Sequence, residues 1–172
     1  EAWIRRSSSS VVSYGSYGIA VLYGYGYLGY GLYLDSAGTL GLSKIGINGV
    51  VSSAAITNTS YHHVAVTKTG STVVFYLDGV AYAVGAYNPG FTFATAAAIG
   101  FRADNLDNSF YGAIDEPAVY NRALSAEEVQ SIYDAGAAGK INPRCVTAPT
   151  NLVGWWAGDG HPYDLARTNV GT

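Results

Sequence analysis

Three groups of side chains in this sequence have the chemistry to hold or transform a ligand. They are the adjacent carboxylates Asp115 and Glu116, the adjacent imidazoles His62 and His63, and a run of tyrosines. Acid–base cleavage of a glycosidic bond needs two carboxyl groups flanking that bond. Asp115 and Glu116 follow one another on a strand-like run, so they project to opposite faces and cannot work as a pair. His62 and His63 diverge in the same way, with no nucleophile nearby in sequence, which argues against a triad. Packing and surface roles are expected for them rather than metal binding. No catalytic residue is assigned and no enzyme is expected. Seven of the fifteen tyrosines fall between Tyr14 and Tyr33. Tyr23, Tyr25 and Tyr27 share one face of a strand, and Tyr33 keeps their phase if no bulge intervenes. Three readings of that cluster stay open: stacking on sugar rings, cross-strand packing, or a subunit interface, where tyrosine is enriched. Residues 58–60 (NTS) form a glycosylation sequon at Asn58 on an expected loop.

The elements that would position these groups are short and numerous. Of 172 residues, 49% are hydrophobic, only 12% are charged and 22 are glycine. That mixture suits one all-β domain with many tight turns. A net charge of −3 gives no basic face for nucleic acid, and so few charges do not oppose self-association. Cys145 is the only cysteine, which excludes an intrachain disulfide and leaves an unpaired thiol as the expectation. Residues 7–34 carry no charge, but glycine and serine interrupt the apolar residues throughout, so no membrane insertion is expected. With no methionine in the sequence, a processed or excised start is expected.

Residues 1–6 read as a strand already in progress and residues 11–14 as a short strand. The run 19–34 mixes glycine, tyrosine and leucine. Residues 35–38 (DSAG) form a hairpin turn, with 39–45 returning. Residues 49–56 and 61–68 are strands, and 72–77 pairs with 80–84 through the type I′ signal of Asp78 and Gly79. Residues 95–102 and 111–120 complete the set, the latter interrupted at Pro117. Ser125 and Glu128 make a capping box, and Leu124 and Val129 a hydrophobic staple. Val129, Ile132 and Tyr133 then form one apolar helix face, and Gly136 a C-terminal stop. The expected fold is an all-β, two-sheet antiparallel β-sandwich of the jelly-roll type, with one short C-terminal α-helix near 125–135.

Several motifs in order carry a family resemblance: residues 61–66 (YHHVAV), 75–79 (FYLDG), 99–100 (IG), 111–116 (YGAIDE) and 120–125 (YNRALS). Together the region 1–136 resembles the laminin G-like family of the concanavalin A-type lectin/glucanase superfamily, which implies a jelly roll. The laminarinase-type hydrolases of that fold class carry a Glu-x-Asp-x-x-Glu strand, absent here. Members often hold calcium at the sandwich rim, and the resemblance points to Asp115 and Asp159 as its carboxylates. Members also open with an apolar strand like Leu-Val-Gly-Trp-Trp. Here such a run stands at residues 152–156 instead.

The resulting expectation is a sandwich over 1–140 lacking its usual first strand, a linker at 141–151, and residues 152–172 as the opening of a next repeat. Alternatively, 152–157 is a strand that completes this or a neighbouring sandwich. Trp155 and Trp156 would face opposite ways on it, one of them anchoring. Two functions follow. The first is a non-catalytic extracellular or cell-surface structural module, a filament or repeat subunit joined to copies of itself by strand complementation. The alternative is a carbohydrate- or protein-binding lectin-like module of a large secreted protein. Calcium, glycans and copies of itself are the expected cofactor and partners. The candidate ligand or interface residues are Tyr23, Tyr25, Tyr27, Trp155 and Trp156.

Overall fold

Alternation of apolar and polar residues builds two antiparallel sheets that bury one face each. The computed structural model describes residues 1–15, 18–136 and 150–155. The strands are β1 (Ala2–Arg6), β2 (Ile19–Gly24), β3 (Tyr30–Asp35), β4 (Thr39–Lys44), β5 (Asn48–Ala55), β6 (Tyr61–Thr69), β7 (Thr72–Leu77), β8 (Val80–Ala83), β9 (Ala98–Ile99), β10 (Gly112–Asp115), β11 (Ala118–Tyr120) and β12 (Leu152–Trp155), with one helix, α1 (Ala126–Ala135), between the last two. One sheet has the order β10-β1-β6-β7-β8 and the other β5-β4-β3-β2-β9. Ile4, Leu34, Leu40, Val64, Val73 and Phe75 are fully buried between them. Each such side chain contributes about 1.5–3 kcal/mol relative to exposure. The fold is a jelly-roll β-sandwich.

Local chemistry sets the turns. Asp35 Oδ1 accepts from Ala37 N (2.9 Å) and Thr39 N (2.8 Å), and Gly38 sits at φ 82°, where only glycine is relaxed. Asp78 and Gly79 both have positive φ, 50° and 79°, as a type I′ hairpin requires. At the helix, Ser125 Oγ accepts from Glu128 N (3.2 Å) while Ser125 N donates to Glu128 Oε2 (2.9 Å). Val129 and Ile132 bury against Leu124, Ala65 and Tyr76 on the outer face of the first sheet. A ten-residue helix is marginal alone, and this apolar face fixes it. Gly136 closes it at φ 52°.

Two expected strands are shorter than their patterns suggest. Residues 95–102 contribute only β9, paired with Tyr23 and Gly24, because Gly100 at φ 84° turns the chain away. Residues 11–14 supply a single bridge, Ser13 to Phe110, since the loop passes the sheet edge once and leaves. Pro117, as expected, divides the 111–120 run into β10 and β11, with Glu116 at φ 47°. β12 pairs antiparallel with β11 of its own chain: Ala118 with Trp155, Val119 with Gly154 and Tyr120 with Leu152. The 141–149 part of the expected linker, Cys145, Trp156 and Asp159 lie outside the described residues.

The helix start generates the first prediction. Arg122, with both terminal nitrogens 2.6 Å from the carboxylate, and then the Ser125 N–H hold Glu128 down to about 2. A carboxyl held below its unfolded value stabilises the fold above about pH 4.3 and loses that contribution as pH falls toward 2. Ser125→Ala is expected to cost about 1 kcal/mol in urea denaturation. Glu128→Gln is expected to lower Tm at pH 7 and to flatten its fall between pH 5 and 2.

Candidate functional site

Aromatic side chains form a continuous tract from between the sheets to the rim of the sandwich. A bulge at Leu22 starts it. Val21 lies opposite Tyr33, yet Tyr23 lies opposite Leu32, so Leu22 and Tyr23 both reach the inner side. Tyr33 is left on the outer face, across Gly41. β2 ends at Gly24, and residues 25–29 form the turn into β3. The expectation that Tyr23, Tyr25 and Tyr27 share a strand face therefore fails, because the strand stops short of Tyr25; Tyr33 was expected in phase only without a bulge, and the bulge is present.

Each tyrosine has a distinct setting. Tyr23, Tyr25 and Tyr30 pack around one another, with Tyr25 and Tyr30 rings 5.2 Å apart at 72°, the edge-to-face arrangement aromatic rings prefer. Burial and then the neighbouring Tyr25 push Tyr23 up to about 12, and burial with the Tyr23 and Tyr25 phenols raises Tyr30 as well. Tyr25 also meets Phe93 at 4.6 Å. Tyr27 is 54% exposed and Phe93 56%, and the Tyr27 ring lies against Gly46.

Polar bonds hold this rim in place. Gly26 N donates to Thr95 Oγ1 (2.9 Å) and Tyr27 N to Asp104 Oδ2 (2.8 Å). Arg102 donates to both oxygens of Asp104, at 3.1 and 2.8 Å. Burial alone would push the Asp104 carboxyl up, but the Arg102 guanidinium and the Tyr27 N–H hold it below the usual range. The loops 25–29, 92–95 and 102–107 thus present Tyr27 and Phe93 outward beside fixed hydrogen-bonding groups. Such a surface can stack on a sugar ring and bond its hydroxyls.

Other sequence candidates lie elsewhere. Asp115 is exposed at the end of β10, its Oδ1 accepting from Glu116 N (2.9 Å). Among the described residues no three His, Cys, Asp or Glu side chains gather as metal ligands. The other carboxylate expected there, Asp159, is not described. β12 pairs Trp155 with Ala118 on the edge of β11. His62 bonds Asp78 Oδ2 (2.7 Å) and Asn58 Oδ1 (3.0 Å). His63 is buried, 3.0 Å from Glu1 Oε2. The two histidines face opposite ways. The sequon residue Asn58 is exposed, its Oδ1 also accepting from Ser60 N (2.7 Å). Phe91, Phe93 and the Arg102–Asp104 pair were not singled out by sequence. The Phe91–Phe93 spacing on a loop and the charged pair two residues apart were the signals available.

The fold and these motifs place the chain in a known class. A laminin G-type family model described as the concanavalin A-like lectin/glucanases superfamily matches residues 1–130, and the chain belongs to that superfamily. No curated protein matches it in sequence. Among solved structures it is similar to a candidate carbohydrate-binding protein from Bacteroides ovatus, with TM-score 0.73 and 17% identity over 99% of this chain and 50% of that one. The chain thus spans half the length of that protein. It is also similar to the CBM40 of the Ruminococcus gnavus IT-sialidase (TM-score 0.55, 14% identity, 77% of this chain and 79% of that one). The same CBM40 solved with α2,3 sialyllactose gives TM-score 0.55 at 16% identity, with the same coverage. At such identities the likeness is one of fold. No helix among the described residues is long and apolar enough to cross a membrane.

The buried phenols give a test of this packing. A phenol raised in the folded state contributes stability that is complete below about pH 10 and is lost as pH rises through its folded value. Tm is therefore expected to fall above pH 10, with part of the tyrosinate absorbance appearing only on unfolding. Tyr23→Phe and Tyr30→Phe should each reduce that alkaline slope; an unchanged slope in both would contradict the burial described.

Proposed function

We propose that this chain is a non-catalytic carbohydrate-binding module of a secreted or cell-surface protein. The observations that carry the proposal are two exposed rings on neighbouring loops: Tyr27, whose N–H bonds Asp104 of the Arg102–Asp104 bridge, and Phe93, packed on Tyr25. Exposed rings held by fixed loops lose little conformational entropy on stacking, and the neighbouring bonds preorganise the polar contacts. The likeness to a candidate carbohydrate-binding protein and to a CBM40 solved with sialyllactose supports this reading over the filament subunit also expected from the sequence.

Titration calorimetry against a panel of neutral and sialylated oligosaccharides tests it. Binding is expected at micromolar to millimolar Kd, typical of shallow sites. Tyr27→Ala and Phe93→Ala are each expected to weaken it about tenfold, close to 1.4 kcal/mol, with unchanged far-UV spectra. No binding across the panel would sink the proposal. Repeating the titrations with calcium and with a chelator tests the metal expected from the resemblance: unchanged affinity and Tm would remove it.

A further inference from the structure

A cavity of about 230 Å³ opens on the outer face of the second sheet. Strand register shows how it is made. Ser43 of β4 stands opposite Gly31 of β3 and Gly49 of β5, so this outward row carries one short side chain. Two residues along, the next outward row holds Val21, Tyr33 and Gly41. The Tyr33 ring lies in the space that a β-carbon at Gly41 would need and forms one wall. Ile45, whose side chain covers Gly31, begins the opposite wall, and Gly46 continues it. Arg102 and Asn108 close the side nearest β2. Asn108 is held there, its Nδ2 donating to Ile19 O (3.1 Å) and its carbonyl accepting from Val21 N (2.9 Å).

This cavity adjoins the rim that carries Tyr27. Gly46, at φ 82° and without a β-carbon, lets the Tyr27 ring lie against it, and Gly46 also lines the cavity. Arg102 lines the cavity too, while its partner Asp104 holds the Tyr27 N–H. One surface therefore runs from Tyr27 over Gly46 and past Ser43 to Tyr33. From Gly41 to Gly46 it covers at most about 17 Å, which is longer than a single sugar ring.

The lining has the chemistry of a sugar subsite. Tyr33 offers a ring and a phenol, and Ser43 a hydroxyl. Arg102 gives two of its five N–H groups to Asp104 and keeps three for other acceptors. The charges around the cavity do not call for an anion. Asp104 neutralises Arg102, and Lys44 turns its ammonium to Pro89 O (3.4 Å). The Tyr33 phenol is raised by burial and then by the charge of Asp35, so a further carboxylate would meet repulsion there. The volume is below the roughly 300–1,000 Å³ of pockets that enclose a whole ligand, so it suits one unit of a longer chain.

We propose that this cavity is a second subsite beside Tyr27, taking an uncharged sugar unit of a glycan whose neighbouring unit stacks on Tyr27. Tyr33 then determines how much affinity the glycan gains with chain length. The inference rests on the carbohydrate reading above and adds to it the ligand's length and charge.

Calorimetry on the full chain tests it with neutral oligomers of glucose, galactose and mannose, from one unit to five, and with galacturonic acid oligomers of the same lengths. Kd in the best-bound neutral series is expected to fall about tenfold or more from one unit to three and then level off. The acidic series is expected to show no such gain. Tyr33→Ala removes a wall and Ser43→Phe fills the cavity, and each is expected to cut the gain to about twofold or less. Far-UV spectra and Tm identify which of the two variants are folded. Tyr27→Ala is expected to weaken binding at every length. Affinity independent of length, a full gain retained in either folded variant, or an equal gain in the acidic series would overturn the subsite and leave the rim reading standing. No binding by any of these sugars would overturn both.

Discussion

Strand β6 is the member of the first sheet on which the others are assembled. Its nine residues offer main-chain groups on two edges, and such groups are costly to bury unpaired. β7 pairs with it from Val64 to Thr69 and β1 only from Tyr61 to Val64. The inner face of β6 supplies Val64 to the core, and the outer face supplies His63 and Ala65 to the floor on which α1 rests. The two halves of this strand therefore have different partners: β1 along Tyr61–Val64 and β7 along Val64–Thr69.

Buried polar groups tie the layers together around the same strand. Glu1 bonds His63 Nε2 and receives the Tyr120 hydroxyl (3.2 Å), linking β1, β6 and β11 beneath the helix. The Trp3 ring stacks on Tyr133 of α1 at 5.9 Å. Arg6, 1% exposed, leaves the first sheet and donates to Ile56 O, at the end of β5 in the second, and to Ser9 O (2.9 Å). Burial lowers its pKa, offset in part by Asp35. A buried guanidinium stays put only with acceptors in reach, and Gly38 at its side leaves the room that a β-carbon would fill. These contacts fix how the sheets face one another, which apolar packing alone leaves less specified.

The aromatic tract shows one material serving two ends. Inside, Tyr23 and Tyr30 are half-buried and pack edge to face with Tyr25. Outside, Tyr27 and Phe93 stand on loops held by Asp104 and Thr95. Tyr25 and Phe93 join the two regions, so Phe93 is braced by rings that reach back between the sheets.

Much of the fold was legible in the sequence because its determinants are local. The Ser125–Glu128 box, the Asp78–Gly79 turn, the Asp35 turn and the interruption at Pro117 each depend on residues a few positions apart, and alternation revealed most strands. The family and the jelly roll followed from motifs in order. The tyrosine site was legible only as a composition. Whether Tyr23 points inward and Tyr33 outward was decided by a bulge at Leu22, set by pairing with β3 and β9. Phe93 comes to Tyr25, and the Arg102–Asp104 pair to Tyr27, from more than sixty residues away. β12, at Leu152–Trp155, falls within an apolar run that the sequence displays. Which edge of β11 it takes depended on where main-chain groups from distant segments meet, and only the assembled sheets specify that.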